Sequence, residues 1–180
     1  MSDTGLIYEV TLSHDEARML RDLVLWVDRL LSGVASEADP DADFGGMDAG
    51  GSEIEPLTDP VLLRLLPNAY VDDEEKSEEF ARFTRDRLAA TKRSQLGAML
   101  ADLSAVDDED GDESTDLADD LTVQLTPDAQ RSWLFALGDL RLALHASAEA
   151  QESGDTRGGV AEIVDWLAWH QEGLLQTLNS

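Results

Sequence analysis

The hydrophobic residues of Pro127–Ala148 (PDAQRSWLFALGDLRLALHASA) recur at helical spacing on more than one face. At about 100° per residue, Trp133, Ala136, Leu137, Leu140 and Leu144 share one side, while Phe135 and Leu142 lie on the opposite one. Leu134 and Ala146 fill the flanks. A surface helix needs a polar face, so a helix that is apolar nearly all round belongs inside a bundle. The pattern predicts a central helix here.

The other elements follow from the same reasoning. Leu6–Leu12 (LIYEVTL) alternates apolar and polar positions and predicts a short strand with one buried face. Ser13 fits an N-cap, and Glu16 three residues later completes a capping box. The helix that follows runs to about Leu31, with Leu20, Leu23, Val24, Val27, Leu30 and Leu31 inward. Arg18, Arg21, Asp22 and Arg29 take its wet side, and Gly33 stops it. Asp59-Pro60 opens a short helix, VLLRLL, that Pro67 ends.

The longest helix is predicted over about Asp73–Ala105, with Glu74, Glu75, Glu78 and Glu79 suited to its N-terminal end. Its apolar stripe drifts. Phe80 and Phe83 face one way, whereas Leu88, Leu96, Met99 and Leu103 face another, so two neighbours or a bend near Gly97 are expected. Leu121–Thr126 alternates again, and Thr126-Pro127 opens the central helix. After a Gly-rich turn around Glu152–Gly159, a final helix, Val160–Leu178, buries Val160, Ile163, Val164, Leu167, Leu174 and Leu178. It sets Trp169 on the opposite side, among Glu162, Asp165, Gly173 and Gln176.

One stretch echoes another. Val10–Asp15 (VTLSHD) aligns with Val123–Asp128 (VQLTPD), and Arg18 then falls on Arg131. Each copy is a strand, a cap and a long helix, and the two strands are expected to pair as an antiparallel ribbon with helices packed on it. The fold class is therefore mainly α: a single-domain helical bundle of about five helices with a small two-stranded β-ribbon. Its folded parts span about 5–33, 59–105 and 121–178.

Charge changes this picture in two places. Val34–Asp59 holds eight acids, no bases and two Gly-Gly pairs, and Val106–Asp120 holds nine acids and no bases. Neither offers enough apolar surface to offset the entropy of ordering it, so acidic disordered loops are expected over 34–58 and 106–120. Asp39–Gly46 (DPDADFGG) fails as a calcium loop, because its glycine falls one place late and no Glu closes it. The two tracts supply most of the net charge of -26. So acidic a chain repels phosphates and anionic membranes, which argues against direct nucleic-acid binding. There is no cysteine, no signal-peptide pattern at the N-terminus and no apolar run long enough for a bilayer. A soluble cytoplasmic protein is expected.

Little in the chain points to chemistry. His14, His145 and His170 are the only histidines, and no helix carries the E-x-x-H pair of a bundle metal site. G-x-S-x-G, P-loop and G-x-G-x-x-G motifs do not occur. No catalytic, metal or cofactor residues are assigned, and an enzyme is not expected. Arg82, Arg85, Lys92 and Arg93 gather on one flank of the long helix. They suit either an acidic partner or this chain's own acids, in its acidic loops or at Glu78, Glu79 and Asp86 by helical spacing. Trp169, Phe135 and Leu142 are candidate partner-binding anchors, since aromatics carry much of the energy at protein contacts. Phe135 also reads as a core residue, and a homodimer through Phe135 and Leu142, or through Trp169, is a further expectation.

Three stretches, Leu62–Leu88 (LLRLLPNAYVDDEEKSEEFARFTRDRL), Leu140–His145 (LRLALH) and Val164–Leu178 (VDWLAWHQEGLLQTL), resemble an actinobacterial family of unknown function. That family includes the AosR-type oxidative-stress transcriptional regulators. The resemblance implies an all-helical regulator that acts by protein contact with a stress sigma factor or RNA polymerase. Its genes lie near that of a Clp protease adaptor, so an accessory role in Clp-dependent proteolysis is the alternative. The cysteine pair through which the regulators sense oxidant has no counterpart here, so that switch does not operate in this chain.

Overall fold

The computed structural model describes residues 7–34, 57–67, 74–109, 120–151 and 154–179, without the side chains of 74–83, 106–109 and 154–157. In chain order the elements are β1 (Tyr8–Leu12), α1 (His14–Ser32), α2 (Pro60–Leu65), α3 (Glu74–Glu109), β2 (Leu121–Leu125), α4 (Pro127–Ala150) and α5 (Gly154–Leu178). Among the described residues the protein is mainly helical, with five helices and one small two-stranded sheet. Most of the two acidic stretches expected to be disordered lies outside the described residues.

The central helix is where the pattern put it. α4 packs against α5, α3, α2, α1 and β2. Its Trp133, Ala136, Leu137, Leu140 and Leu144 are buried, and each large side chain contributes about 1.5–3 kcal/mol by leaving water. The opposite face is not covered. Phe135 is 56% exposed and Leu142 46%, so the core reading of Phe135 is corrected: the helices around α4 leave one of its apolar sides to solvent.

α3 packs on both α1 and α4, while the side chains of Phe80 and Phe83, on which the expected drift of its stripe rests, lie outside the described residues. Leu96, Met99 and Leu103 are buried between them. Arg21, expected on the wet side of α1, instead donates to the Leu103 carbonyl on α3 at 2.8 Å. α3 also runs past the expected stop at Ala105 into the second acidic tract, as far as Glu109. Similarly, the Gly-rich turn expected before α5 forms its first turns, from Gly154. In both cases extension adds a hydrogen bond per residue to an existing helix, which outweighs unfavourable local composition.

β1 and β2 pair antiparallel, with Val10 opposite Val123 and Leu12 opposite Leu121. The expected ribbon forms, and the two aligned valines are partners. Val10, Leu12, Leu121, Val123 and Leu125 all point into the core, so the period of two places one face of each strand on the helices.

Candidate functional site

The first helix opening does more than stop a strand. Ser13 N-caps α1, and Glu16 Oε2 accepts from the Ser13 amide at 2.7 Å and from its hydroxyl at 2.9 Å. The other carboxylate oxygen, Oε1, accepts from the Trp166 indole of α5 at 2.9 Å. Trp166 then packs edge-on against the His170 ring, with centroids 4.4 Å apart. His170 in turn packs edge-on against Trp169 at 4.8 Å. A cap residue near the N-terminus thus anchors an aromatic row on the last helix.

Electrostatics favour one arrangement of this row. Burial works upward on the Glu16 carboxyl, but its hydrogen bonds from Ser13 and Trp166 outweigh it, joined by His170 only when that ring is protonated, and hold it below the usual glutamate range. Burial pushes the His170 imidazole down from its ordinary value, with Glu16 pulling weakly the other way. His170 is therefore a neutral ring at neutral pH, wedged between two tryptophans. Beside it, Gly173 leaves room for the Tyr8 side chain of β1, where a Cβ would collide with the phenol hydroxyl. That close approach seats the ribbon against α5.

At the end of the row, Trp169 is 70% exposed, the largest exposure of any big apolar side chain described. The structure does not bring it together with Phe135 and Leu142. Those two flank Gly138 on α4, and Gly138 is covered by the Gln171 amide of α5. Gln171 accepts from Arg141 at 2.7 Å and donates to the Leu134 carbonyl at 3.1 Å, closing the α4–α5 seam. Trp169 lies two residues from Gln171, about 200° round the helix. The exposed aromatics therefore belong to two separate faces.

The basic flank of α3 is divided rather than gathered. Lys92 reaches α4 and pairs with Asp139 at 2.5 Å, both side chains nearly buried. Arg93 reaches α1 and pairs with Asp28 at 2.8 Å. Both charges are met inside the chain, though by acids of other helices and not by helical neighbours. Arg85 is half-buried, and the side chain of Arg82 lies outside the described residues. Burial raises the Asp139 carboxyl above the usual aspartate range, against the pull of Lys92. Its Oδ2 is buried and accepts no hydrogen bond.

Neither the Glu16–Trp166–His170 row nor the Lys92–Asp139 pair follows from sequence spacing. The partners are 150 and 47 residues apart. A signal for the second existed: Asp139 lies three residues after Ala136 and four before Ala143, on the core face of an apolar helix.

Open clefts mark the surface of the described residues. One, of about 380 Å³, runs along α1 over Asp15, Met19, Asp22 and Trp26. Another, of about 360 Å³, lies between Leu63 of α2 and Ala146 of α4, beside the Arg64–Glu149 pair. Among the described residues no three His, Asp or Glu side chains gather as a metal site, and no helix is long and apolar enough to cross a membrane.

The architecture is that of a small helical bundle braced by a two-stranded ribbon, with exposed aromatics on two of its faces. A family model described as "Domain of unknown function (DUF2017)" matches residues 1–178, and the chain belongs to that family. No curated protein and no solved structure matches it.

Proposed function

We propose that this chain is a non-enzymatic cytoplasmic regulator that acts by protein–protein contact, as an AosR-type member of its family. Its partner in this reading is a transcription component, a sigma factor or an RNA polymerase subunit. The observation that carries the reading is Trp169. An indole 70% exposed to water, yet held against His170 by edge-on packing, has the properties of an interface anchor. A rigid aromatic loses little conformational freedom when it binds, which is why such residues dominate contact energies. No cysteine is present, so regulation here does not run through a thiol switch.

The test is a pull-down of the full chain from a cell lysate at low and high salt. A sigma factor or polymerase subunit should be recovered, should survive high salt, and should be depleted by Trp169→Ala. Salt separates helix-borne contact from attraction to the acidic tracts. Recovery of no transcription protein above background would overturn the proposal. Altered turnover of Clp clients on gene deletion, with transcription unchanged, would replace it with the proteolytic role.

A further inference from the structure

We infer that the solvent face of α5 around Trp169 receives a cationic segment of the protein partner, with an arginine or lysine side chain over the indole. This deepens, and rests on, the proposal that the chain works by protein contact.

Glu162, Asp165, Trp169, Glu172 and Gln176 recur at spacings of three and four, so they form one stripe along the helix. All five are exposed. Asp165 lies one turn before the indole and Glu172 one turn after it. From Gly158 to the end of the chain there is no lysine or arginine, and His170 is buried behind the stripe, its proton affinity lowered. From Glu162 to Gln176 the stripe thus carries three carboxylates with no lysine or arginine among them.

This surface discriminates among occupants. A purely apolar partner would cover the indole but strip water from the carboxylates without replacing it. A second copy of this chain would set carboxylate against carboxylate, and nucleic acid would set phosphate against them. A guanidinium or ammonium group meets both features: it stacks on the indole face while hydrogen-bonding a carboxylate one turn away. Glu172 already accepts from the Gln176 amide at 3.2 Å, which holds its carboxylate on the stripe. The edge-on His170 fixes the indole, so the ring is set before the cation arrives.

The experiment titrates the full chain against a dye-labelled arginine-rich peptide, read by anisotropy, with a glutamine-substituted peptide as control. Wild type should bind the first and not the second. Trp169→Leu leaves every charge in place and should weaken binding by about two- to fivefold, the size of one exposed cation–π contact. The double variant Asp165→Asn/Glu172→Gln should weaken it at least as much, whereas Phe135→Ala, on another face, should bind like wild type. Equal affinity of wild type and Trp169→Leu would overturn the inference, since attraction would then come from charge elsewhere. Capture of a transcription protein together with that equality would sink this inference and leave the proposed function standing. The expected peptide pattern without such capture would do the reverse.

Discussion

The protein opens two of its helices with the same strand-and-cap grammar, and the two junctions do different work. At β1–α1, Ser13 caps and Asp15 pairs with Arg18; at β2–α4, Thr126 caps and Asp128 pairs with Arg131. The strands leading in are partners across the ribbon. The difference lies at the third helical residue. Glu16 stands there in α1 and its carboxylate reaches both its own cap and Trp166 of α5, whereas Ala129 stands there in α4 with a methyl side chain that returns no bond to the cap. The second junction instead tucks buried Gln130 onto the Leu125 carbonyl. One junction is therefore a local punctuation mark, and the other is a tie to the surface that carries Trp169.

α3 lies against both helices and meets them unequally, which gives the largest test of the contrast. Lys92→Met should leave Asp139 buried without its charge partner and cost about 3 kcal/mol of stability in urea unfolding. Arg93→Met removes a partner of half-exposed Asp28 and should cost about 0.5 kcal/mol. Similar losses from the two would mean that the α4 side is not the drier one.

The caps themselves come next. Glu16→Ala removes the capping box and leaves the Trp166 N–H without its acceptor, for a loss of about 2 kcal/mol. Thr126→Ala removes only a cap bond and should cost about 1 kcal/mol. Equal midpoint shifts in urea would erase the distinction between the junctions.

The smallest effect is one of pH. Because burial lowers the His170 pKa, the unfolded chain takes up the proton first as pH falls below about 6.5. Wild type should then lose stability relative to His170→Gln between pH 7.5 and the lower folded value, and the two should run parallel above that window. A wild-type advantage that grows on acidification would contradict a neutral, buried ring.

Much of this was legible in the chain. Period-two and period-3.6 patterns located the ribbon, the central α4 and the exposed position of Trp169, because burial repeats with backbone geometry. The capping box at Ser13 and Glu16 was also visible, being local. What spacing could not give was the second use of Glu16, which depends on how α5 docks 150 residues away. Nor could it show that adjacent Lys92 and Arg93 turn to different helices, since one flank of α3 faces two neighbours. The exposed side of Phe135 and Leu142 was ambiguous for the same reason: an apolar face does not announce whether the fold covers it. Helix ends at Glu109 and Gly154 escaped a reading by composition because propagation extends past poor formers.

In the proposed role the protein works through a contact made at Trp169. A benzophenone photocrosslinker placed at position 169, with the same group at position 135 as comparison, tests it in cells. The expected result is an adduct at 169 whose partner is a transcription component and whose attached peptide is rich in lysine or arginine. An adduct formed only from position 135, or none from either, would contradict it.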